Sequence, residues 1–280
     1  MRQADAFSGF HPVNNFLFFI IVTGYTMFVM HPAVLLISLI AGNIYHIVLK
    51  REKAVYFGMF YMLPLMLLAA VLNPAFNHQG ATVLMYLPSG NPLTLEACLY
   101  GLFSSVMMIA VIVWFACYTE VMTSDKFVYL FGSIIPSLSL VISMALRFVP
   151  RFAEKFRQVK EARAGAGEKS NAFTELSIMV TWALENSIET ADSMRSRGYG
   201  STKRTAFSIY TFGSRDRDML FWLLFCALSL IFAGAAGVYE WYFYPRLGGA
   251  AFTPVTSFSL LTFAALCLTP VFIDKKYDKH

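Results

Sequence analysis

Apolar residues run along the chain in six blocks, at about 14–30, 32–49, 55–72, 95–118, 219–238 and 254–273. Each is close to the ~20 residues a helix needs to cross the hydrocarbon core of a bilayer. The first two meet at His31-Pro32, where proline ends one helix or opens the next, so 14–49 is either a tight helical pair or one broken helix. A seventh apolar run, 127–146, is interrupted by Gly132, Ser133, Pro136, Ser137, Ser139 and Ser143. Proline and clustered serines in mid-run fit a helix bent along the bilayer surface or tucked against protein, where freed backbone groups find partners. A kinked crossing is the competing reading.

Between Arg147 and Arg217 the pattern changes to helical spacing with charge. Phe148, Phe152, Phe156 and Val159 recur on one face with Arg151, Lys155, Arg157 and Lys160 around them, and Pro150 stands where a helix can start. This basic amphipathic helix is expected to end near Arg163. A linker, 164–170, carries two glycines. A second helix is expected from Asn171, an N-cap residue, with Leu176, Val180, Leu184, Ile188, Ala191 and Met194 on one stripe, stopping at Gly198. The apolar faces of the two helices are expected to pack on each other or to lie along the membrane. Residues 199–217 are polar and basic and lead back to an apolar block at Met219. The fold class is therefore an all-α integral membrane protein with about five to six transmembrane helices and a cytoplasmic pair of long amphipathic helices. Its segments are 1–126, N-terminal transmembrane helices; 127–217, the membrane-surface and cytoplasmic region; and 218–280, C-terminal transmembrane helices.

Charge gives the orientation. The stretch 147–217 holds 13 Lys and Arg against 8 Asp and Glu, so it accounts for the whole net charge of +5. Lys50, Arg51 and Lys53 follow the second block and Lys275, Lys276 and Lys279 follow the last, whereas 73–94 has no Lys or Arg and 239–253 has only Arg246. Cationic loops stay in the cytoplasm, so 50–53, the charged stretch and the C-terminus are read as inside. Three crossings between Lys53 and Arg147 would put the charged stretch outside, so 127–146 is expected not to cross.

Composition agrees with a membrane protein: 57% of the 280 residues are apolar, only 14% are charged, and the mean hydropathy is +0.57. The first apolar run is read as a helix and not as a signal peptide, since more apolar blocks follow it at once. The four cysteines, Cys98, Cys117, Cys226 and Cys267, lie inside apolar runs without a CxxC and read as packing residues. A pI near 9.0 follows from cytoplasmic loop charge and does not require nucleic acid.

Few residues carry chemistry. Gly165-Ala166-Gly167-Glu168-Lys169-Ser170 has Glu168 where a phosphate loop has glycine, and it follows a helix instead of a strand. The five histidines are scattered, without metal-ligand spacing. Glu96 and Glu120 flank the fourth block and read as cap or interface residues. No cofactor, metal or enzymatic activity is expected. What remains is a repeated feature: Arg163 and Arg197, 34 residues apart, each at a helix end with glycine close behind. A cation there complements the helix dipole by ~0.3–1 kcal/mol; two of them in the one sizeable charged region point to a pair of docking points.

These residues resemble a known family, the transmembrane T component of energy-coupling factor (ECF) transporters, a group that includes cobalt and nickel permease subunits. The resemblance rests on Ala191-Asp192-Ser193-Met194-Arg195-Ser196-Arg197-Gly198-Tyr199, similar to the family's second Ala-x-x-Met-x-x-Arg-Gly-Tyr signature. It rests also on Arg147-Phe148-Val149-Pro150 leading to Glu161-Ala162-Arg163, similar to the first signature, with the glycine delayed to Gly165. Phe10-His11-Pro12, Asn73-Pro74-Ala75-Phe76-Asn77-His78-Gln79-Gly80 and Leu93-Thr94-Leu95-Glu96-Ala97 extend the match through most of the chain. The resemblance implies two coupling helices whose ends dock in grooves of two ABC-type ATPase subunits. Ala162, Arg163 and Ala164 would form one docking triplet and Ser196, Arg197 and Gly198 the other, with Pro150, Met194 and Tyr199 supporting them. It implies a partner in the bilayer, a substrate-binding S component that selects the vitamin or transition-metal ion taken up, and a place in a prokaryotic cytoplasmic membrane. The alternative is a secondary transporter or permease that binds its own substrate. That function calls for charge near mid-helix, and the six blocks carry it only near their ends.

Overall fold

The computed structural model describes residues 5–86, 92–132, 136–167, 171–199, 210–249 and 253–277, with the side chains of 132, 136–140 and 277 left aside. The helices are α1 (Pro12–Phe28), α2 (Pro32–Lys50), α3 (Glu52–Phe57), α4 (Leu63–Phe76), α5 (Leu95–Val121), α6 (Ser124–Gly132), α7 (Pro136–Gly165), α8 (Ala172–Ser196), α9 (Ser214–Ala235) and α10 (Pro254–Tyr277). A π-helical turn, Gly58–Met62, joins α3 to α4 without a break. Two short antiparallel pairs complete it, β1 (Val83–Tyr86) with β2 (Pro92–Thr94) and β3 (Trp241–Tyr242) with β4 (Gly248–Gly249). Two compact units result, Met1–Thr123 with Tyr210–His280, and Ser124–Ile209. The terminal stretches expected as separate segments thus share one unit.

Five helices are long and apolar enough to cross a membrane: α2, the continuous α3–α4, α5, α9 and α10; α1 is apolar but shorter, at 17 residues. The protein is an all-α membrane protein. In the first unit, polar contacts sort the helix ends into two faces. On one face the His11 amide donates to Asp216 Oδ1 at 2.8 Å and Asn14 Nδ2 to the Asp216 carbonyl at 2.8 Å, which joins the start of α1 to the start of α9. On the same face Lys50 pairs with Glu120 at 2.8 Å, joining the ends of α2 and α5, and the Ala6 amide donates to Asp274 at the end of α10. On the opposite face the start of α2 and the β3 segment meet through His31 and Trp241, with ring centroids 5.6 Å apart. There Asn77 Nδ2 donates to the Tyr244 hydroxyl at 2.9 Å and Glu96 accepts from the Thr82 amide at 3.2 Å. Glu96 and Glu120 are thus interface residues at the helix ends, as expected.

The core between the faces is aromatic. Phe7, carried in by the 3₁₀ turn Phe7–Gly9, sits edge-on to Phe18 at 5.1 Å, and Phe18 sits edge-on to Trp114 at 5.8 Å. Such tilted contacts match the ring quadrupoles. Trp114 Nε1 donates to Ser38 Oγ at 3.0 Å, and Ser38 Oγ lies 2.7 Å from Thr26 Oγ1. Because the Thr26 hydroxyl already donates to the Val22 carbonyl at 2.8 Å, Ser38 is the donor to Thr26. One hydroxyl therefore ties α1, α2 and α5. A Cβ at Gly101 would lie 2.9 Å from the Ala70 carbonyl oxygen, so glycine sets the close approach of α4 and α5.

Several elements bear on what the sequence led one to expect, and some depart from it. The junction at His31-Pro32 resolves as two helices: α1 ends at Phe28 and α2 starts at Pro32. Block 55–72 extends to Glu52–Phe76. The run 127–146 divides into α6 and the start of α7, and neither is among the helices apolar enough to cross, within the described residues. Its interruption at Ser133 lies outside the described residues, as do Glu168–Ser170 of the linker and Lys203 and Arg204 of the basic stretch. Pro150 does not start a helix. It lies inside α7, 14 residues after Pro136. A proline costs a helix one backbone hydrogen bond, and at this exposed position water can satisfy the carbonyl left over.

The chain leaves the first unit after α5 and rejoins it before α9, at the face that holds Lys50, Asp216 and Asp274. Single cysteines at Thr123 and Phe212 should be labelled by an impermeant maleimide from one side of the membrane and a cysteine at Gln79 from the other; a Thr123 and Phe212 pair labelled from opposite sides would refute this arrangement. The anchor of the N-terminus also predicts a pH dependence. Asp5 accepts from the Tyr45 hydroxyl at 2.6 Å. Burial, with the Asp274 carboxylate beside it, raises the Asp5 carboxyl from 3.8 to about 6. Since the folded value is the higher one, the anchor's contribution is complete below pH 3.8 and is lost as pH rises through about 6. Hydrogen exchange of residues 5–10, corrected for intrinsic rate, should show more protection at pH 5 than at pH 7.5, and Asp274→Asn should flatten the difference.

Candidate functional site

The second unit carries all nine residues singled out as docking or supporting positions. Its centre is an antiparallel hairpin of α7 and α8. The pairing order shows the direction: Phe152 meets Trp182 with centroids 5.7 Å apart, Lys155 Nζ lies 6.0 Å from the same ring, and Arg163 reaches Glu175. The contact face of α8 is Glu175, Met179 and Trp182, spaced four and three residues apart. Met179 is only 1% exposed.

Of the two arrangements expected for the apolar faces, packing on each other is not the one seen. Leu176, Val180, Leu184 and Ile188 are exposed, Leu184 by 63%, and do not seal the hairpin. α8 has two stripes at helical spacing, and the less apolar one packs, because Met179 and Trp182 supply volume while Glu175 supplies a counter-charge. Sequence reasoning passed over Trp182 and Met179 and counted Glu175 only as charge. The signal for Glu175 was its place in the first turn of a helix capped by Asn171, where a carboxylate is favoured. Asn171 behaves as expected, its side chain accepting from the Phe173 amide at 3.1 Å.

The two helix ends differ in detail. α8 ends in a Schellman motif: the Gly198 amide donates to the Arg195 carbonyl at 3.0 Å and the Tyr199 amide to the Met194 carbonyl at 3.1 Å. Gly198 has φ +77°, a conformation that glycine adopts without the Cβ clash other residues meet. Arg197 is the C-cap residue itself. Its side chain is exposed and has no ion-pair partner among the described residues. Ser196 Oγ folds back to the Ser193 carbonyl at 2.9 Å. The end of α7 runs past the expected stop: Gly165 is still helical and the left-handed residue is Gly167, φ +77°. The Ala166 amide donates to the Ala162 carbonyl and the Gly167 amide to the Ala164 carbonyl. Arg163 therefore stands four residues before its left-handed glycine, and Arg197 one before.

The consequence is a difference in exposure. The Arg163 side chain is 14% exposed, with Nη1 3.8 Å from a Glu175 carboxylate oxygen that is itself covered, and 3.4 Å from the Asn171 carbonyl. It clasps the turn of the hairpin. Because the helices are antiparallel, Arg163 lies at that turn and Arg197 at the far end of α8. The 22 residues from Glu175 to Arg197 span about 33 Å at 1.5 Å per residue.

Among the described residues no three His, Cys, Asp or Glu stand close enough to hold a metal ion. No known family model and no curated protein matches this chain.

Met179→Asp should open the hairpin, since loss of the buried side chain alone costs ~2–5 kcal/mol and an unpaired charge adds to that. Leu184→Asp should leave it closed. Hydrogen exchange across α8 separates the two; equal protection in both variants would mean that Met179 does not hold the hairpin.

Proposed function

We propose that this protein is the transmembrane coupling subunit of an ECF-type ABC importer. It passes the ATP-driven movement of two ATPase subunits to a membrane-embedded S component that binds a vitamin or a transition-metal ion. It resides in the cell membrane with the α7–α8 hairpin on the cytoplasmic side. The observation that carries this reading is the separation of the two helix ends. Two C-terminal turns, each with an arginine and a left-handed glycine, stand at opposite ends of one hairpin, separated by about 33 Å of α8, which suits two separate receptors better than one. The family resemblance of 191–199 names those receptors. The net positive charge of 147–217 supports the cytoplasmic side.

Arg197 is the ready docking group, because a planar guanidinium exposed at a helix end can hold a carboxylate through two parallel hydrogen bonds. Arg163 has to exchange Glu175 for a carboxylate of its receptor. The protein hydrolyses nothing itself in this reading; it converts an approach of two ATPases into strain on one hairpin.

Losing one partner of a desolvated ion pair costs ~2–5 kcal/mol, so Arg197→Ala should weaken capture of the ATPase subunits at least about tenfold, with Arg197→Lys recovering only part. Arg163→Ala should have a smaller effect, since its ion pair with Glu175 is lost as well, and the double variant should be worst. Glu175→Gln should strengthen capture by freeing Arg163. Pull-down of the ATPases by each variant decides the matter: undiminished binding by the double variant would leave both arginines as dipole-complementing caps.

A further inference from the structure

α2 turns into α3 through a single residue. Arg51 is the C-cap of one helix and the N-cap of the next, with φ +50° and ψ −121°, the one non-glycine positive φ among the described residues. Strained backbone of this kind is retained where the local geometry is used. Here it folds α3 back so that Lys50 and Lys53 come to the rim of one cavity of about 610 Å³. The rings of Tyr56, Phe57 and Tyr61 and the side chain of Ala116 form its walls, and His46 and Glu52 complete the lining. Phe57 and Tyr61 flank and enter the π-helical turn, the second irregularity beside the same space, and such turns gather at functional sites.

Charge and wall chemistry define the occupant. Lys50 is held by Glu120 at 2.8 Å, and Glu52 offsets one further cation. Lys53 has no ion pair among the described residues and is the lining cation left to meet an anion. The walls are aromatic, and five of the eight lining residues belong to the span Glu52–Phe76, only 6% of whose apolar window is buried. A soluble anion would use the cations and leave the rings bare. A phospholipid uses both, its phosphate on the lysines at the end of the span and its acyl chain against Tyr56 and Tyr61. Aromatic side chains with flanking lysines are the usual anchors at that depth.

We infer that the cavity at the α2–α3 turn is a binding site for one anionic phospholipid, with the phosphate held at Lys50 and Lys53 and a chain lying over Tyr56 and Tyr61. The site is independent of the coupling role proposed above.

The test uses the full chain in a neutral detergent, with native mass spectrometry and thermal unfolding as readouts and phosphatidylglycerol, phosphatidylcholine and inorganic phosphate as probes. Phosphatidylglycerol should stay bound and raise Tm, whereas the other two should not. Lys53→Gln should weaken retention about fivefold, the effect of one lysine near an anionic headgroup. Tyr61→Ala, a change at an exposed ring, should also weaken it. The control Lys275→Gln with Lys276→Gln removes more charge from the same face and should have no effect. The inference is overturned if phosphatidylglycerol does not bind, if Lys53→Gln and Tyr61→Ala leave its retention unchanged, or if the control weakens it equally, which would mean diffuse charge. Protection by inorganic phosphate to the same degree would also overturn it, in favour of a soluble anion.

Discussion

Helices in a bilayer gain nothing from the hydrophobic effect when they meet, so the first unit depends on its few polar ties. They fall at three depths. At one face Asp216 binds the start of α1 and Lys50 binds Glu120; at mid-depth Ser38 joins Thr26 and Trp114; at the other face Asn77 holds Tyr244 and Glu96 holds Thr82. The ties run both between neighbouring elements, as at Thr26 and Ser38, and between distant ones, as at Asn14 and Asp216. Together they fix which helix neighbours which, and the aromatic cluster of Phe7, Phe18 and Trp114 then fills the space they enclose. Gly101 works in the same way by absence, since any side chain there would push α4 away from α5.

The hairpin of the second unit follows another logic. Much of its apolar surface is exposed, and what holds it is a narrow seam of Phe152 with Trp182, the buried Met179, and the Arg163–Glu175 pair. A charge pair with covered side chains gives little net stability, because desolvation offsets most of the attraction, but removing one partner is costly. Its value is in fixing register. Arg163 also reaches the Asn171 carbonyl, so the same guanidinium fixes where α7 stops and α8 begins.

Local chemistry was legible in the sequence. The apolar blocks, the Asn171 cap and the Gly198 stop were readable because each is decided within a few residues: a run long enough for the bilayer, a side chain that reaches its own helix's amides, a glycine that accepts positive φ. What was not legible depended on contacts elsewhere. Pro150 reads as a start because proline favours first turns, yet α7 continues through it. On α8 the more apolar stripe looked like a packing face, and the contacts with α7 went to the other one, because α7 offers Arg163 to Glu175 and Phe152 to Trp182. The left-handed residue after α7 is Gly167 and not Gly165, a choice between two glycines that spacing alone leaves open. The sheet pairs near Val83 and Trp241 had no pattern of their own to announce them.

In the coupling reading that shift of two residues matters. Had both arginines stood one residue before a left-handed glycine, the helix ends would be equivalent, and two receptors would meet the same group. Instead Arg197 projects from a capped terminus and Arg163 sits a turn further back, against Glu175. A helix resists bending because every turn is held by its own backbone bonds, so a force applied at Arg197 reaches Glu175 at the other end of α8 with little loss. The joint between the helices is the Arg163–Glu175 pair. In the coupling reading, an ATPase that draws Arg163 away from Glu175 loosens the turn while its counterpart still holds the far end. The hairpin would then change its opening angle, rather than travel as one block, when the two ATPases approach each other.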